Sequence, residues 1–276
     1  MKKVADARDG LLHWKPGEVR IVKICVLASS SAGNSVFVAG GRTRILIDAG
    51  LSKRETAARL AAIGEDIHKL DAILITHEHS DHVSGLPALA RAIQKPAFVT
   101  HQTAPLIEWS GKVPAVECFQ AGASFQLGDI GVQSFTIPHD AADPVGYALT
   151  SEGIHIGVVT DLGYLPDSVK WHVAGSQLLL LESNHDIEML KVGPYPWALK
   201  QRVLSRKGHL SNDAAGEYIG GELPKGVHTL VLGHLSENNN LPALVELTAR
   251  QALDIRGHAA RLVIAEPRKQ SEMFLY

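Results

Sequence analysis

Six consecutive residues, His77-Glu78-His79-Ser80-Asp81-His82, crowd three imidazoles and a ligand-type aspartate onto one short turn. They follow Leu70-Asp71-Ala72-Ile73-Leu74-Ile75-Thr76, an apolar run that reads as a buried strand. Side chains one apart in an extended turn point in different directions. His77 and His79 can therefore grip one ion while Asp81 and His82 reach toward a second. Imidazole and carboxylate suit zinc or manganese, and no thiolate is involved. The competing reading is a solvated turn that happens to be rich in histidine; the density of ligand types stands against it.

One turn cannot fill two metal sites, so further ligands are expected from later strand ends. His139 follows Phe135-Thr136-Ile137-Pro138, Asp161 follows Ile154-His155-Ile156-Gly157-Val158-Val159-Thr160, and His234 follows His228-Thr229-Leu230-Val231-Leu232-Gly233. Each is a metal-ligand type where an apolar strand meets a loop, the place where loops carry function on a rigid scaffold. Asp48 ends the strand Arg44-Ile45-Leu46-Ile47 and can accept the free N–H of a ligating histidine. Glu182 ends the Leu178–Leu181 strand and is expected near the same site. Ser30 and Asn34 lie on a Gly-containing loop that either offers donors to a phosphate or is an ordinary turn.

The elements that must hold these residues alternate along the chain without a long linker. Strand-like runs occur near 21–28, 35–39, 44–48, 71–76, 132–137, 145–150, 154–160, 177–182, 227–232 and 261–265. Helical patterns occur near 53–63, 84–94, 166–173, 211–221 and 241–253. In the second of these, Leu86, Leu89, Ala90 and Ile93 recur at helical spacing. Ser211 or Asn212 is a natural N-cap for the fourth. Periodicity and composition place the chain in the α/β class and allow either a doubly wound sheet or two stacked sheets.

The string Thr76-His77-Glu78-His79-Ser80-Asp81-His82, with His139, Asp161 and His234, resembles the metallo-β-lactamase fold superfamily from about Val22 to Val263. Ser29-Ser30-Ser31-Ala32-Gly33-Asn34-Ser35, Glu182-Ser183-Asn184-His185-Asp186, Gly208-His209-Leu210-Ser211-Asn212 and Leu232-Gly233-His234-Leu235-Ser236-Glu237-Asn238-Asn239 narrow the likeness. They are similar to the YycJ/WalJ-like DNA exonucleases, relatives of ribonuclease Z. The resemblance implies a four-layer αβ/βα sandwich. It also implies two divalent ions, zinc or manganese: His77, His79 and His139 on one, Asp81, His82 and His234 on the other, and Asp161 bridging them. Asp81 doubles as a proton acceptor in this pattern. His209 contacts the scissile phosphate and protonates the leaving oxygen, which an alkoxide needs; otherwise it merely caps the helix after it. Asn184, His185 and Asp186 belong to the likeness without an assigned task.

Composition agrees and sets limits. The 276 residues, 45% hydrophobic and 20% charged, are those of an ordinary globular protein. Residues 1–20 read as an N-terminal extension and 21–276 as one domain. Only 48 positions separate Asp161 from His209, too few for the inserted domain of the ribonuclease J branch. Cys25 and Cys118 form no disulfide framework, which fits a cytoplasmic setting. No segment approaches the ~18 apolar residues of a membrane span, and the N-terminus lacks the apolar core of a secretion signal.

A net charge of −2 argues against a broad nucleic-acid-binding surface. Lys191, Lys200, Arg202, Arg206 and Lys207, however, form a run without an acidic residue that leads into Gly208-His209. Lys200, Arg202, Arg206 and Lys207 are therefore candidates for a phosphate-backbone track, against the alternative of a solvated helix face. The expected activity is a dinuclear metal-dependent phosphodiesterase, a 5′-to-3′ DNA exonuclease with DNA as its partner and its oligomeric state left open. The alternatives are a small-molecule metallohydrolase acting on a cyclic phosphodiester, lactone or thioester, and a nucleic-acid-binding module whose metals only hold the fold.

Overall fold

A computed structural model describes residues 21–109, 111 and 115–276; the expected N-terminal extension lies outside them. The expected doublet of sheets is present. The first contains β1 (Lys23–Ser30), β2 (Gly33–Ala39), β3 (Arg44–Ile47), β4 (Ala72–Leu74), β5 (Ala97–Thr100) and β6 (Val116–Phe119). The second contains β7 (Ser124–Leu127), β8 (Ile130–Thr136), β9 (Val145–Ser151), β10 (Ile154–Val159), β11 (Leu178–Glu182), β12 (Thr229–Gly233) and β13 (Arg261–Ile264). The chain then returns as β14 (Phe274–Leu275) to pair with β1, so the strand orders are β14-β1-β2-β3-β4-β5-β6 and β13-β12-β11-β10-β9-β8-β7.

Alternating strand residues explain the layering. In β1, Ile24 and Val26 join the core between the sheets, while Cys25 and Leu27 face outward into a second core. In β11, Leu178 and Leu180 point inward, and Leu179 and Leu181 point to a third core on the opposite face. Strands buried on both faces must be apolar throughout, which is why these runs lack polar alternation.

Helices cover both outer faces: α1 (Lys53–Ala62), α2 (Ser80–Val83) and α3 (Leu86–Ile93) with the first sheet, and α4 (Asp167–Val173), α5 (Ile187–Val192), α6 (Trp197–Val203), α7 (Asn212–Gly221) and α8 (Pro242–Arg256) with the second half. α3 buries Leu86, Leu89, Ala90 and Ile93, the stripe its spacing predicts. Ser211 caps α7, its Oγ accepting the Ala214 N–H. The result is a four-layer αβ/βα sandwich. None of the described helices is long and apolar enough to cross a membrane.

β3, β4 and β10 to β13 all have parallel partners. Their C-terminal ends gather on one edge of the sandwich, where α/β sheets open a crevice for ligands. A bridge between Ser30 and Leu235 joins the two sheets at this edge.

Candidate metal centre and cleft

Asp48, Asp161 and His234 each leave their strand with positive φ, 61°, 62° and 56°. Non-glycine residues adopt this left-handed conformation at a cost and cluster at functional sites. The turn redirects the chain so that each side chain points across the edge of the sheets. Two glycines allow the close packing beneath. A side chain on Gly50 would sit 1.7 Å from the Asp81 carbonyl oxygen, and one on Gly208 would sit 2.1 Å from that of Val203.

Three groups of donors result: His77, His79 and His139 form the first, Asp81, His82, Asp161 and His234 the second, and a third, Asp161, Glu182, His209 and His234, overlaps the second at Asp161 and His234. In the first, His79 Nδ1 lies 3.1 Å from His77 Nε2 and 3.2 Å from His139 Nε2. Tetrahedral zinc at its usual ~2.05 Å from nitrogen spaces its ligands about 3.3 Å apart, so the three nitrogens form one face of such a polyhedron. Burial, and then the positive neighbour His82, hold the His77 imidazole well below its ordinary pKa. Burial also lowers that of His139, despite the opposing pull of Asp161. Both shifts favour the neutral imidazole of His77 and His139, the form that offers a lone pair.

The second cluster joins Asp81, His82, Asp161 and His234. His234 Nε2 is 3.4 Å from Asp81 and 3.3 Å from Asp161 Oδ1, while His82 Nε2 is 3.4 Å from Asp161 Oδ2. That Asp161 oxygen is buried and has no hydrogen-bond partner among the described residues. Burial pushes His82 and His234 down, yet Asp161 with Asp48 and Asp81, and Asp161 with Asp81 and Glu182, raise them well above the ordinary histidine range. The cluster calls for positive charge, which protons or a divalent cation can supply. Donor types, spacing and the orphaned oxygen all fit divalent metal ions.

The tautomers are set from outside the first two clusters. His82 Nδ1 faces Asp48 at 2.8 Å, and His139 Nδ1 faces the Gly208 carbonyl at 3.1 Å. Thr76 Oγ1 donates to Asp48 at 2.9 Å and faces His77 Nδ1 at 3.0 Å. Glu182 serves two rings, His209 Nδ1 at 2.7 Å and His234 Nδ1 at 2.8 Å, while its other oxygen accepts the Leu162 and Leu210 N–H groups. Burial would raise Glu182, but His209 and His234 bring it down to about 2. In His77, His82, His139 and His234 these partners engage Nδ1 and turn Nε2 toward the clusters, the arrangement a metal ligand requires.

His209 and His234 share Glu182 and differ in how they approach Asp161. The His209 Nδ1 is engaged by Glu182, and its ring stacks on that of His234 with centroids 5.2 Å apart. Of the two, His234 presents Nε2 to the Asp81–Asp161 pair, as His82 does, whereas His209 approaches Asp161 through Nδ1, at 3.8 Å. His209 lines instead a cleft of about 320 Å³ above the clusters, with Ser31, His79, Ser80, Asp81, Asp161, Asn184, Tyr195, Leu199, Arg202, Val203, His234 and Ser236.

Other sequence candidates sit elsewhere. Ser30 and Asn34 are buried and do not line the cleft: Ser30 Oγ accepts the Ala32 N–H, and Asn34 donates to Asp81. Ser31, next in sequence, takes the exposed position. Of the basic run, only Arg202 reaches the cleft, held by Asp140. Lys200 donates to the Lys191 carbonyl at 2.7 Å, Arg206 stacks 3.9 Å above the Tyr164 ring, and Lys207 is exposed. Glu78 anchors the motif by accepting the Ala142 N–H at 2.8 Å.

Sequence reasoning missed Thr76, Ser29 and the amide clasp that joins the three downstream strings. Ser29 Oγ accepts the His234 N–H at 2.8 Å. Asn212 and Asn240 exchange side-chain hydrogen bonds, and Asn240 also donates to the Ser183 and Asn184 carbonyls. Asn184 donates to the His234 carbonyl at 2.8 Å, and Asp186 caps α5. Their asparagines thus pin the Glu182, His209 and His234 loops to one another. His185 is buried among them, and among the described residues neither ring nitrogen has a hydrogen-bond partner.

The model of the beta-lactamase superfamily domain matches residues 43–253, a span that contains the donor clusters. The chain belongs to the metallo-β-lactamase superfamily. Within it, the chain is 37% identical to exodeoxyribonuclease YycJ of Bacillus anthracis over 84% of this chain and 89% of that protein. It is 39% identical to exodeoxyribonuclease WalJ of Streptococcus pneumoniae over 82% of this chain and 86% of that one. These likenesses place it in the YycJ/WalJ group of the superfamily. The metallo-β-lactamase fold protein YhfI from Bacillus subtilis superposes with a TM-score of 0.71 at 17% identity, covering 94% of this chain and 100% of that one.

Proposed function

We propose that the chain is a dinuclear metal-dependent DNA exonuclease that degrades from the 5′ end. The observation that carries this reading is the meeting of the donor clusters under one cleft, with His209 beside them on the Glu182 that also holds His234. The exodeoxyribonucleases that match most of its length supply the substrate class.

His77, His79 and His139 hold one ion in this reading, and Asp81, His82 and His234 the other, with Asp161 between. Two divalent ions, zinc or manganese, acidify water and offset phosphoryl charge when bound. The remaining work falls to side chains. Asp81 is the most open carboxylate of the centre, its side chain 20% exposed against 2% for Asp161 and 0% for Glu182. It is placed to take the proton of the attacking water. His209, held through Nδ1 by Glu182, offers Nε2 to the leaving oxygen and protonates it. Lys200, Arg206 and Lys207, which share a run with the cleft residue Arg202, are assigned to phosphates remote from the broken bond. Residues 21–276 act as one domain without an inserted cap, and two unpaired cysteines suit the cytoplasm.

Protein reconstituted with manganese or zinc is offered 5′- and 3′-labelled single- and double-stranded DNA, RNA and a chromogenic phosphodiester. Stepwise release from the 5′ label of DNA is expected. Hydrolysis of the chromogenic ester alone would move the chain to the small-molecule metallohydrolases.

A further inference from the structure

The cleft has two unlike walls. One carries the metal-binding and proton-transfer groups. The other comes from the α5–α6 arm and is apolar with a single cation: Tyr195, Leu199 and Val203, with Arg202 among them. Leu199, Arg202 and Val203 follow i, i+3, i+4 spacing, so one face of α6 supplies this wall. Nothing in phosphodiester hydrolysis itself requires an apolar wall. A nucleobase does.

We propose that Tyr195, Leu199, Val203 and Arg202 form a nucleotide subsite, in which one unpaired base of a DNA end lies against the Tyr195 ring while Arg202 binds its phosphate. This deepens the exonuclease reading and rests on it. Three features of the arm support the assignment.

First, Tyr195 is preorganised. Pro194 and Pro196 flank it, and a residue before proline is confined to extended backbone. Asn238 donates to its hydroxyl at 3.4 Å. A ring fixed before the ligand arrives loses little freedom on binding.

Second, Arg202 is aimed rather than loose. Asp140 takes its Nε and Nη2, the latter at 3.0 Å, leaving Nη1 outside the pair. Asp140 follows His139 directly, so the guanidinium is tied to the loop of a metal-cluster histidine. Among the described residues, Arg202 is the one Lys or Arg that lines the cleft, whose lining also includes Asp81 and Asp161. An anionic ligand finds its positive side-chain charge there.

Third, the space is small. A cleft of about 320 Å³ lies at the low end for small-molecule sites. It has room for about one nucleotide, which suits an unpaired end. Base–aromatic stacking is tolerant of sequence, as an exonuclease needs.

The test uses full-length, metal-loaded protein and two single-stranded, 5′-phosphorylated oligonucleotides. One is normal; the other has abasic sugars at its first two positions. Wild type and Tyr195→Phe are expected to bind the normal strand about 5- to 150-fold more tightly, the range for one stacked base. Tyr195→Ala is expected to lose most of that preference, binding the abasic strand as wild type does. Arg202→Ala is expected to weaken both strands equally and keep the preference. A Tyr195→Ala protein that retains the full preference, or loses the same factor on both strands, overturns the subsite. Binding by fluorescence anisotropy is read separately from hydrolysis. Hydrolysis without base preference defeats the subsite alone, whereas a base preference without cleavage of either strand defeats the exonuclease reading.

Discussion

Replacing Glu182 by glutamine probes the whole account of the site with one changed atom. The native carboxylate accepts four hydrogen bonds, from the Leu162 and Leu210 N–H groups and from Nδ1 of His209 and His234. An amide has one oxygen and one donor group in the same place. If its oxygen stays with the two backbone N–H groups, its NH₂ faces the two Nδ1 atoms, and both imidazoles must move their proton to Nε2. His234 then presents an N–H where a metal ligand needs a lone pair, and His209 loses the carboxylate that orients its ring. If the amide turns over, two backbone N–H groups meet a donor inside the protein, at about 1–3 kcal/mol for each unsatisfied group. Either way something measurable is lost. The first arrangement predicts metal affinity lower by about 10- to 100-fold, the usual effect of removing a partner of a ligating histidine. Turnover on DNA falls further, because His209 is affected as well. Chelator competition gives the affinity, thermal unfolding of the metal-free protein the stability, and a labelled strand the turnover. Wild-type values in all three would refute the claim that Glu182 orients these rings.

Other outcomes follow from the same structure. Burial would raise the Glu65 carboxyl, but hydrogen bonds and charge from Lys23 and Arg44, both at 2.9 Å, hold it below the ordinary glutamate value. A depressed carboxylate stabilises the fold above its unfolded pKa and loses that contribution on acidification. Glu65→Gln should therefore cost about 1 kcal/mol at pH 7, with the gap to wild type closing below about pH 4 in urea titrations. Leu89, fully buried in α3, should cost about 2–5 kcal/mol as alanine, read by the same titrations. Reversing Lys200 and Lys207 to glutamate should weaken DNA binding and flatten its salt dependence by ~0.7–0.9 per lost phosphate contact, leaving a one-phosphate ester nearly unaffected. Equal losses on both substrates would return those lysines to a structural role.

The metal motif was legible because ligand-type residues recur at the ends of strands buried on both faces, and such strands announce themselves as unbroken apolar runs. β5, β6, β7 and β14 were not. β7 is exposed or half-buried throughout and β6 is buried only at Phe119, so neither carries a core pattern. α2 has four residues and hides inside the motif itself. α5 and α6 read only as a basic run, because positive residues on their open side masked the apolar face of α6. Ser30 and Asn34 were natural candidates by type, yet a one-residue shift decides which side of a strand faces a ligand, and it is Ser31 that does. The Asn212–Asn240 clasp joins residues 28 apart through two side chains. No local pattern marks such a pairing, although three asparagine-containing strings hinted that the polar groups had a shared task.

The central claim is that metal holding and proton transfer belong to different histidines of the paired His-Leu-Ser strings. It is tested most directly by metal content and turnover measured together on His209→Ala and His234→Ala after reconstitution with manganese or zinc. The account predicts two ions per chain in the wild type and in His209→Ala, with turnover on DNA reduced ~10²–10⁴-fold in the latter, as for a lost general acid. His234→Ala should lose an ion and activity together. A His209→Ala protein that binds one ion, beside a His234→Ala protein that keeps two, would contradict the account.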